Sequence, residues 1–305
     1  MYDTIIIGSG PAGMTAGIFA ARREMKAIII GKDLGGQMVW AGEIENYPGI
    51  KKISGFELIQ NFQEQVASFG VEIKSAEVQK IEKTDNNTFL VYSGTEIFEG
   101  KTVMIAMGLS PRRLAIKGEE EFVGKGVSYC ANCDAPFFRN KKVAVVGSGN
   151  SAFDAAEVLS KIASEVNLIM RTEETGAFDS LVETVKNKTN VKIYLNSEIK
   201  EIVGEKSVNT INCANIKEKT EFNIEVDGVF VEIGRIASTD LVENFVDRTS
   251  RGQIIANNRC ETKTPGIFAA GDVSSLSEFK QISVAVGQAT IAALSAYQYL
   301  QKENK

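Results

Sequence analysis

One pattern occurs twice in this chain and governs what it can fold into. Thr4-Ile5-Ile6-Ile7 runs into Gly8-Ser9-Gly10-Pro11-Ala12-Gly13. A helical stretch from Met14 to Arg23 and a second apolar run, Ala27-Ile28-Ile29-Ile30, follow. Further on, Lys141 to Val146 enters Gly147-Ser148-Gly149-Asn150-Ser151-Ala152, then a helical stretch from Phe153 to Ala163, then Glu165 to Met170. Strand, glycine-rich loop, helix and strand in that order make the first half of a dinucleotide-binding unit. The glycines let the backbone approach a pyrophosphate at a helix N-terminus, where unpaired N–H groups and the helix dipole favour negative charge. Short apolar runs without alternation suit parallel strands buried on both faces. Two copies predict two nucleotides, or one nucleotide and a copy that has lost its ligand. The acid that usually ends the second strand of such a unit is missing from the first copy, where Gly31-Lys32 stands instead.

The expected fold is therefore α/β, with two Rossmann-like nucleotide-binding domains of the three-layer type, the second inserted into the first. Ser54 to Gly70 reads as an amphipathic helix whose Phe56, Ile59, Phe62, Val66 and Phe69 face a core. Val71 to Val103 reads as strands, with hairpin turns at Asp85-Asn86-Asn87 and Ser93-Gly94. Lys101 to Gly108 is a buried strand ending in glycine, and Gly228 to Gly234 resembles it. Thr264 to Asp272 is another buried strand, and a last helix is expected from about Lys280 to Leu300. The simplest division places a discontinuous domain at 1–112 and 243–305, with 113–242 as the insertion. At 305 residues the chain is long enough for both.

Chemistry is concentrated in Cys130-Ala131-Asn132-Cys133-Asp134, just before the second unit. A Cys-x-x-Cys pair can close into a disulfide and reopen into a dithiol, an exchange of two electrons and up to two protons. Asp134 can protonate the departing thiolate and later deprotonate it. The chain has no histidine, so no His-based acid–base chemistry is open to it. A zinc site needs four ligands, and the other two cysteines, Cys213 and Cys260, stand alone, so no metal is expected. These two read as packing or surface residues. Trp40 reads as packing, with a place near a cofactor as the other reading. A net charge of −5 with no basic arm argues against nucleic acid. No apolar stretch suits a signal peptide or a membrane span. Few cysteines in a long chain suit a reducing, cytoplasmic setting, where a Cys-x-x-Cys pair is more often catalytic than structural.

Taken in order, Gly8 to Gly13, Gly35-Gly36-Gln37, Glu45-Asn46-Tyr47-Pro48-Gly49, Cys130 to Asp134, Gly147 to Ala152 and Gly271-Asp272 resemble the low-molecular-weight thioredoxin reductase family of flavoproteins across essentially the whole chain. The resemblance implies FAD in the first domain. It would be held by Gly8, Ser9, Gly10, Pro11, Ala12 and Gly13, by Gly31, by Gly35, Gly36 and Gln37, and by Asn46. Val78, Ala106 and Gly108 would lie along it, as would Gly271 and Asp272 at the ribityl chain and Lys280, Gln281 and Ile282 beside the flavin. The family commonly has arginine where this chain has Lys280. The resemblance also implies a homodimer, a domain rotation, and electron flow from flavin to the Cys130–Cys133 disulfide and on to thioredoxin. Cys133 would face the flavin, Cys130 would attack the substrate, and Asp134 would move the proton.

The resemblance weakens on the nicotinamide side. NADPH-binding members carry a His-Arg-Arg run with a further arginine after the second strand of the second unit. Here the stretch is Met170-Arg171-Thr172-Glu173-Glu174-Thr175-Gly176-Ala177-Phe178, and its glutamates repel a 2′-phosphate. The family's Gly-His segment is Gly234-Arg235 here. Three donors remain: NADPH through Arg171, NADH through Glu173 or Glu174, and, favoured, reduced ferredoxin, which a branch of the family uses. Low-potential ferredoxins near about −400 mV readily reduce such a flavin. Arg112, Arg113, Arg139, Lys141 and Lys142 are candidates for docking an acidic donor. Reduction of a peroxiredoxin or a small disulfide is a second enzymatic reading. It is disfavoured because those members carry an additional N-terminal thioredoxin-like region. A ferredoxin–NADP reductase branch lacks the Cys pair. A flavin and dithiol redox sensor without turnover is the reading from another class.

Overall fold

The computed structural model describes residues 1–40 and 43–303, with the backbone alone at Trp40, Glu43, Cys133 and Glu303. The chain forms two compact units, one of Met1–Ser110 with Ile236–Lys305 and one of Pro111–Arg235. Residues 236–242 thus fall in the first unit, where the sequence reading put them in the second. The reason is burial: Ala237 and Val242 belong to the same apolar cluster as Ile5, Ile28 and Val103. Residues 111 and 112 fall in the second unit, where the Arg112 N–H donates to the Gly234 carbonyl.

The first unit is built on a seven-stranded sheet. Glu72–Ser75, Ala27–Gly31, Tyr2–Ile7 and Glu96–Ile105 lie side by side in that order, and Ile267–Ala269 joins the far side of Glu96–Ile105, all parallel. The long strand Glu96–Ile105 has two roles. Its first half pairs antiparallel with Phe89–Ser93, which pairs with Lys80–Lys83, while its second half enters the parallel core. Because side chains alternate along a strand, the apolar runs are divided between two faces. Ile6, Ile29 and Met104 pack on one side under the helices Pro11–Ala21, Gly55–Ser68 and Ile282–Glu303. Ile5, Ile7, Ile28, Ile30, Val103 and Ile105 pack on the other with Phe89, Val91, Val246 and Ile254. Helices, parallel sheet and antiparallel strands form the three expected layers.

Two helices of this unit approach closely because their contact residues are small. Ala12, Ala16 and Ala20 of Pro11–Ala21 share a cluster with Ala289, Ala292, Ala293 and Ala296 of the last helix. The helix Gly55–Ser68 starts at a capping box, with the Ser54 Oγ accepting from the Glu57 N–H and the Glu57 carboxylate accepting from the Ser54 N–H. Its buried stripe is Leu58, Ile59, Phe62 and Val66. The expectation for two of its aromatics fails: Phe56 is 64% and Phe69 38% exposed. Phe56 lies about a quarter-turn off that stripe, and Phe69 is already the residue that ends the helix.

The second unit repeats the plan. Val127–Ser128, Gly228–Val231, Lys142–Val146, Glu165–Ile169 and Val191–Tyr194 form a parallel sheet in that order. The helix Asn150–Ser160 and the helix Asp179–Lys186 cover one face. The antiparallel strands Ser197–Gly204, Val208–Asn215 and Thr220–Glu225 cover the other. The turn that carries the Cys pair is a short helix, Ala131–Asp134, running into a 3-10 turn, Ala135–Phe138. Ala131, Ala135 and Phe138 are buried in the same cluster as Val143, Val145, Phe153 and Phe230, so the turn is anchored on the helical face of the sheet.

Candidate functional site

In the first unit, the loop Gly8–Gly13 leaves its strand in a geometry that only glycine permits. Gly8 has φ +114, and a Cβ there would lie 2.2 Å from the Ala106 carbonyl oxygen. A Cβ at Gly13 would lie 1.8 Å from the Gly8 oxygen, which brings the helix start hard against the loop. Gly10 is the N-cap of the helix Pro11–Ala21 and Pro11 its first residue. No side chain caps this end, and its first turn holds no acid. The first-turn N–H groups are therefore available to an anion.

The other expected site residues of this unit gather around that helix end. A Cβ at Gly31 would lie 2.4 Å from the Ser9 Oγ, and the Ser9 hydroxyl donates to the Asp33 carbonyl at 3.0 Å. The Gly35 N–H donates to the Ser9 carbonyl at 2.9 Å. A Cβ on Gly36 would lie 3.4 Å from the Gly10 Cα, and one on Gly271 would lie 3.0 Å from the Ala12 Cβ. The Gln37 side-chain amide donates to the Asp272 carboxylate at 3.2 Å, and Gly108 lies beside that amide. The Asn46 amide donates to the Gln281 side-chain oxygen at 3.0 Å. The Lys280 ammonium donates to the carbonyls of Ser274 and Ser277. Burial holds the Lys280 amine below the usual lysine range, against the opposing pull of Asp272 and Glu278. Ile282 opens the last helix. Val78 is the outlier: it packs with Ile5, Ile28 and Ile30 on the opposite face of the sheet. The side chain of Trp40 lies outside the described residues. An uncapped helix start, a wall of glycines and a carboxylate held by an amide fit a dinucleotide, whose pyrophosphate takes the N–H groups and whose hydroxyls take the carboxylate.

Two residues supporting this cradle were not singled out from sequence. The Gln288 side-chain oxygen accepts from the Gly271 N–H at 2.9 Å and from the Ser274 hydroxyl at 3.0 Å. The Gln253 amide donates to the carbonyls of Asp272 and Ser274. A glutamine among the buried alanines of the last helix is the signal that could have found Gln288.

In the second unit Cys130 is disulfide-bonded. The Cys130 N–H donates to the Ser128 Oγ at 3.1 Å, and the Cys130 carbonyl accepts from the Asp134 N–H at 3.2 Å, closing one helical turn over Cys-x-x-Cys. The Cys133 side chain lies outside the described residues. Asp134 is half-buried. Tyr129 ties the turn to the start of the unit: its hydroxyl donates to the buried Glu119 carboxylate at 2.9 Å and accepts from Arg113 at 2.7 Å. Glu119 also accepts the N–H groups of Leu114 and Ala115. Burial, then the Glu119 contact, pushes the Tyr129 phenol up to about 12. Phe137, just beyond the turn, is 73% exposed. Of the candidate docking cations, Arg113 is bound to Tyr129, Lys142 pairs with Glu225 and Lys141 lies over the Phe138 ring, while Arg112 and Arg139 are exposed.

The second glycine loop makes the same entry as the first. Gly147 has φ +145, and a Cβ there would lie 2.3 Å from the Glu232 carbonyl oxygen. Gly149 is the N-cap of the helix Asn150–Ser160. Here the segment after the second strand closes on the loop. The Gly176 N–H and the Thr175 hydroxyl both donate to the Ser148 carbonyl, and the Phe178 N–H donates to the Asn150 side chain at 2.8 Å. Arg171 pairs with Glu198 at 3.1 Å, and Glu173 is held by Lys217 and Asn196. The two remaining cysteines are buried, and burial pushes Cys213 up to about 12 and Cys260 up to about 11, which makes both poor nucleophiles.

A profile of the family described as pyridine nucleotide-disulphide oxidoreductase matches residues 2–289. A thioredoxin reductase of Treponema pallidum is 36% identical over 301 residues, which are 98% of this chain and 97% of that protein. An alkyl hydroperoxide reductase of Staphylococcus aureus is also 36% identical, over 98% of this chain, which spans 59% of that longer protein. Among solved structures, a Lactococcus lactis thioredoxin reductase superposes with a TM-score of 0.89 at 35% identity, covering 99% of this chain and all of that one (100%). A ferredoxin-flavin thioredoxin reductase of Clostridium acetobutylicum gives a TM-score of 0.55 at 32% identity, covering 99% and 98% of the two chains.

Proposed function

The chain belongs to the pyridine nucleotide-disulphide oxidoreductase family, and from that premise we propose that it is a thioredoxin-disulfide reductase with reduced ferredoxin as its electron donor. It is an FAD-dependent oxidoreductase. When bound, FAD supplies a carrier that takes electrons singly or in pairs and gives up two at a time. In this reading Gly10 and the first-turn N–H groups hold the pyrophosphate, Gln37 and Asp272 hold a hydroxyl of the ribityl chain, and Asn46 and Lys280 line the flavin. The observation that carries the disulfide chemistry is Cys130, disulfide-bonded in a turn anchored by Ala131, Ala135 and Phe138.

Reduction of the Cys130–Cys133 disulfide takes up two electrons and two protons and leaves a dithiol. The Cys130 thiolate then attacks one sulfur of the thioredoxin disulfide. That S–S bond breaks, a mixed disulfide forms, and the first substrate sulfur leaves as thiolate. Cys133 attacks the Cys130 sulfur, the mixed disulfide breaks, and the second substrate sulfur leaves. Asp134 gives and takes the proton at the turn. Two electrons have passed to thioredoxin, and the Cys pair is a disulfide again.

The donor assignment is supported by what surrounds the second glycine loop. Arg171 is committed to Glu198, and Asn150 is occupied by the Phe178 N–H. A 2′-phosphate would have to break the first tie, and a pyrophosphate would meet the second. The same reading makes the protein a cytoplasmic homodimer. Two buried free thiols suit a reducing compartment, and among the described residues no helix is long and apolar enough to cross a membrane.

Anaerobic bleaching of the flavin absorbance tests both parts. The holoprotein is mixed separately with NADPH, NADH and reduced ferredoxin, and thioredoxin is then added. The expected result is fast bleaching by ferredoxin alone and recovery of the oxidised spectrum on adding thioredoxin. Fast bleaching by micromolar nicotinamide would overturn the donor assignment. Bleaching without recovery would overturn thioredoxin as substrate.

A further inference from the structure

Tyr129 directly precedes the first redox cysteine, and its side chain ends in a polar cluster. Its hydroxyl donates to the Glu119 carboxylate at 2.9 Å and accepts from an Arg113 N–H at 2.7 Å. The Arg113 guanidinium lies 4.5 Å from the centre of the Tyr129 ring. Glu119 is only 3% exposed, and its oxygens also accept the N–H groups of Leu114 at 2.8 Å and Ala115 at 2.7 Å. The cluster is costly to build. A buried carboxylate gives up its hydration. Ala115 has φ +58, a left-handed conformation that alanine rarely adopts. Packing alone requires neither, because apolar side chains of similar volume often fill such a space equally well. What the contacts share is that they converge on the residue beside Cys130. The Cys130 N–H donates to the Ser128 Oγ at 3.1 Å, and its carbonyl accepts from the Asp134 N–H at 3.2 Å. On the far side of the turn, Ala131, Ala135 and Phe138 are buried against the sheet.

We propose that Tyr129 is a positioning residue for the redox turn: tied through its hydroxyl to Glu119 and Arg113, it holds the Cys130 backbone in the conformation that the closed disulfide requires. The proposal rests on the assignment of Cys130 and Cys133 as the redox pair. The buried alanines and Phe138 fasten the turn on one side, and Tyr129 fastens it on the other. When the pair is reduced, the S–S bond is gone and such ties alone keep the two sulfurs close. A turn held on both sides loses little freedom when the disulfide forms again, which raises the effective concentration of one thiol at the other. The tie therefore favours the disulfide over the dithiol. Without it the dithiol gains conformational freedom, and the pair becomes easier to reduce. Burial and the Glu119 contact keep the phenol protonated up to about 12, so the tie persists through the range in which thiols ionise.

The test equilibrates the holoenzyme anaerobically in buffers of reduced and oxidised dithiothreitol at neutral pH. Each pair that is reduced takes two electrons and two protons from one dithiothreitol, whose own sulfurs close into a ring disulfide. Acid quenching, alkylation and mass spectrometry of the peptide then give the dithiol fraction. Tyr129→Phe keeps the ring and loses the hydroxyl. It should shift the equilibrium about tenfold towards the dithiol, which is about 30 mV for this two-electron couple. Arg113→Met keeps the side-chain stem and loses the N–H donors, leaving the Glu119 contact in place. It should shift the equilibrium the same way by about threefold. Where both variants fold, Tyr129→Phe decides; where it fails to fold, Arg113→Met does. Ile211→Val, fully buried in the cluster on the other face of the sheet, should lower the melting temperature without moving the equilibrium. An unmoved equilibrium in the deciding variant, or a shift towards the disulfide, overturns the proposal. So does a shift in Ile211→Val as large as that variant's, because the effect would then be general loosening. Failure of thioredoxin to reoxidise the enzyme would remove the substrate proposed above and leave this equilibrium intact.

Discussion

Gly8 and Gly147 leave their sheets in the same manner, each with positive φ and each pressed against the carbonyl of a strand end, Ala106 in one case and Glu232 in the other. Ser9 and Ser148 next accept through their carbonyls from a glycine N–H, that of Gly35 and that of Gly176. Up to this point the two loops are one design. They part around the helix start. Neither the helix Pro11–Ala21 nor the helix Asn150–Ser160 has a side-chain cap at its N-terminus. In the second unit, however, Asn150 receives the Phe178 N–H, Arg171 is neutralised by Glu198, and an acid replaces the methyl of Ala106. A backbone motif therefore records how a loop meets its sheet, while its ligand depends on side chains that arrive from elsewhere in the unit.

The largest test addresses what the loops share. Gly8→Ala and Gly147→Ala each put a Cβ within 2.3 Å of a carbonyl oxygen at positive φ. Each should cost on the order of 4 kcal/mol and sharply reduce soluble protein. Denaturant melts would check this, and a mild effect at only one of them would break the equivalence. Next is the acid. The Glu232 carboxyl is raised from an ordinary 4.5 to about 7 by burial, so the folded state holds its proton where the unfolded state has lost it. Stability contributed by this group is full below the ordinary value and is lost as pH rises through about 7. Glu232→Gln should therefore gain up to roughly 3 kcal/mol over the native protein above neutrality, progressively less as pH falls below about 7, and nothing below the ordinary value of 4.5. Melts at the two pH values would show it.

The third test separates ligand from scaffold. An Ala Cβ at Gly10 has its nearest neighbours 3.9 Å away, and one at Gly149 has nothing within 4 Å. Both variants should fold. Gly10→Ala should hold flavin about 100-fold more weakly, a loss of about 2.7 kcal/mol, because the methyl group enters the pyrophosphate's place. Gly149→Ala should leave ferredoxin-driven turnover unchanged. Flavin release on dilution and steady-state rates would read these out. The smallest effect belongs to Glu198→Gln. It frees the largely exposed Arg171 and should tighten NADPH binding by a few-fold, less than about 1 kcal/mol, as measured by titration calorimetry.

How much of this could be read in the sequence depended on range. The apolar runs at Ile5, Ile28 and Val103 declared parallel strands because burial on both faces leaves no alternation. The glycines declared their loops because φ and close approach admit nothing else. Phe56 misled because a helix stripe is about a third of a turn wide, and spacing alone does not say which edge residue falls outside it. The boundary at Ile236 was hidden because it depends on Ala237 and Val242 reaching a sheet formed by the first hundred residues. The raised carboxyl of Glu232 was invisible for the same reason: burial by elements far away in the chain causes it. The sequence showed the loss of cations near Arg171, but not that Glu198 would claim the one that remained.

The strand Ile267–Ala269 completes the core of the first sheet beside Val103–Ile105, and the last helix roofs the first with its alanines. Both are synthesised after the whole of Pro111–Arg235. On the ribosome, the contiguous unit can bury its sheet as soon as it emerges, in keeping with the tendency of domains to fold as units during synthesis. The earlier residues must wait with an unpaired strand edge at Val103–Ile105 and a bare helix face at Ala12, Ala16 and Ala20. The part of the molecule translated first is thus the last to mature, and the cradle proposed for flavin, which needs Gly271 and Asp272, cannot close before translation is nearly over. Nascent chains stalled just short of Ile267 would be the form that chaperones meet.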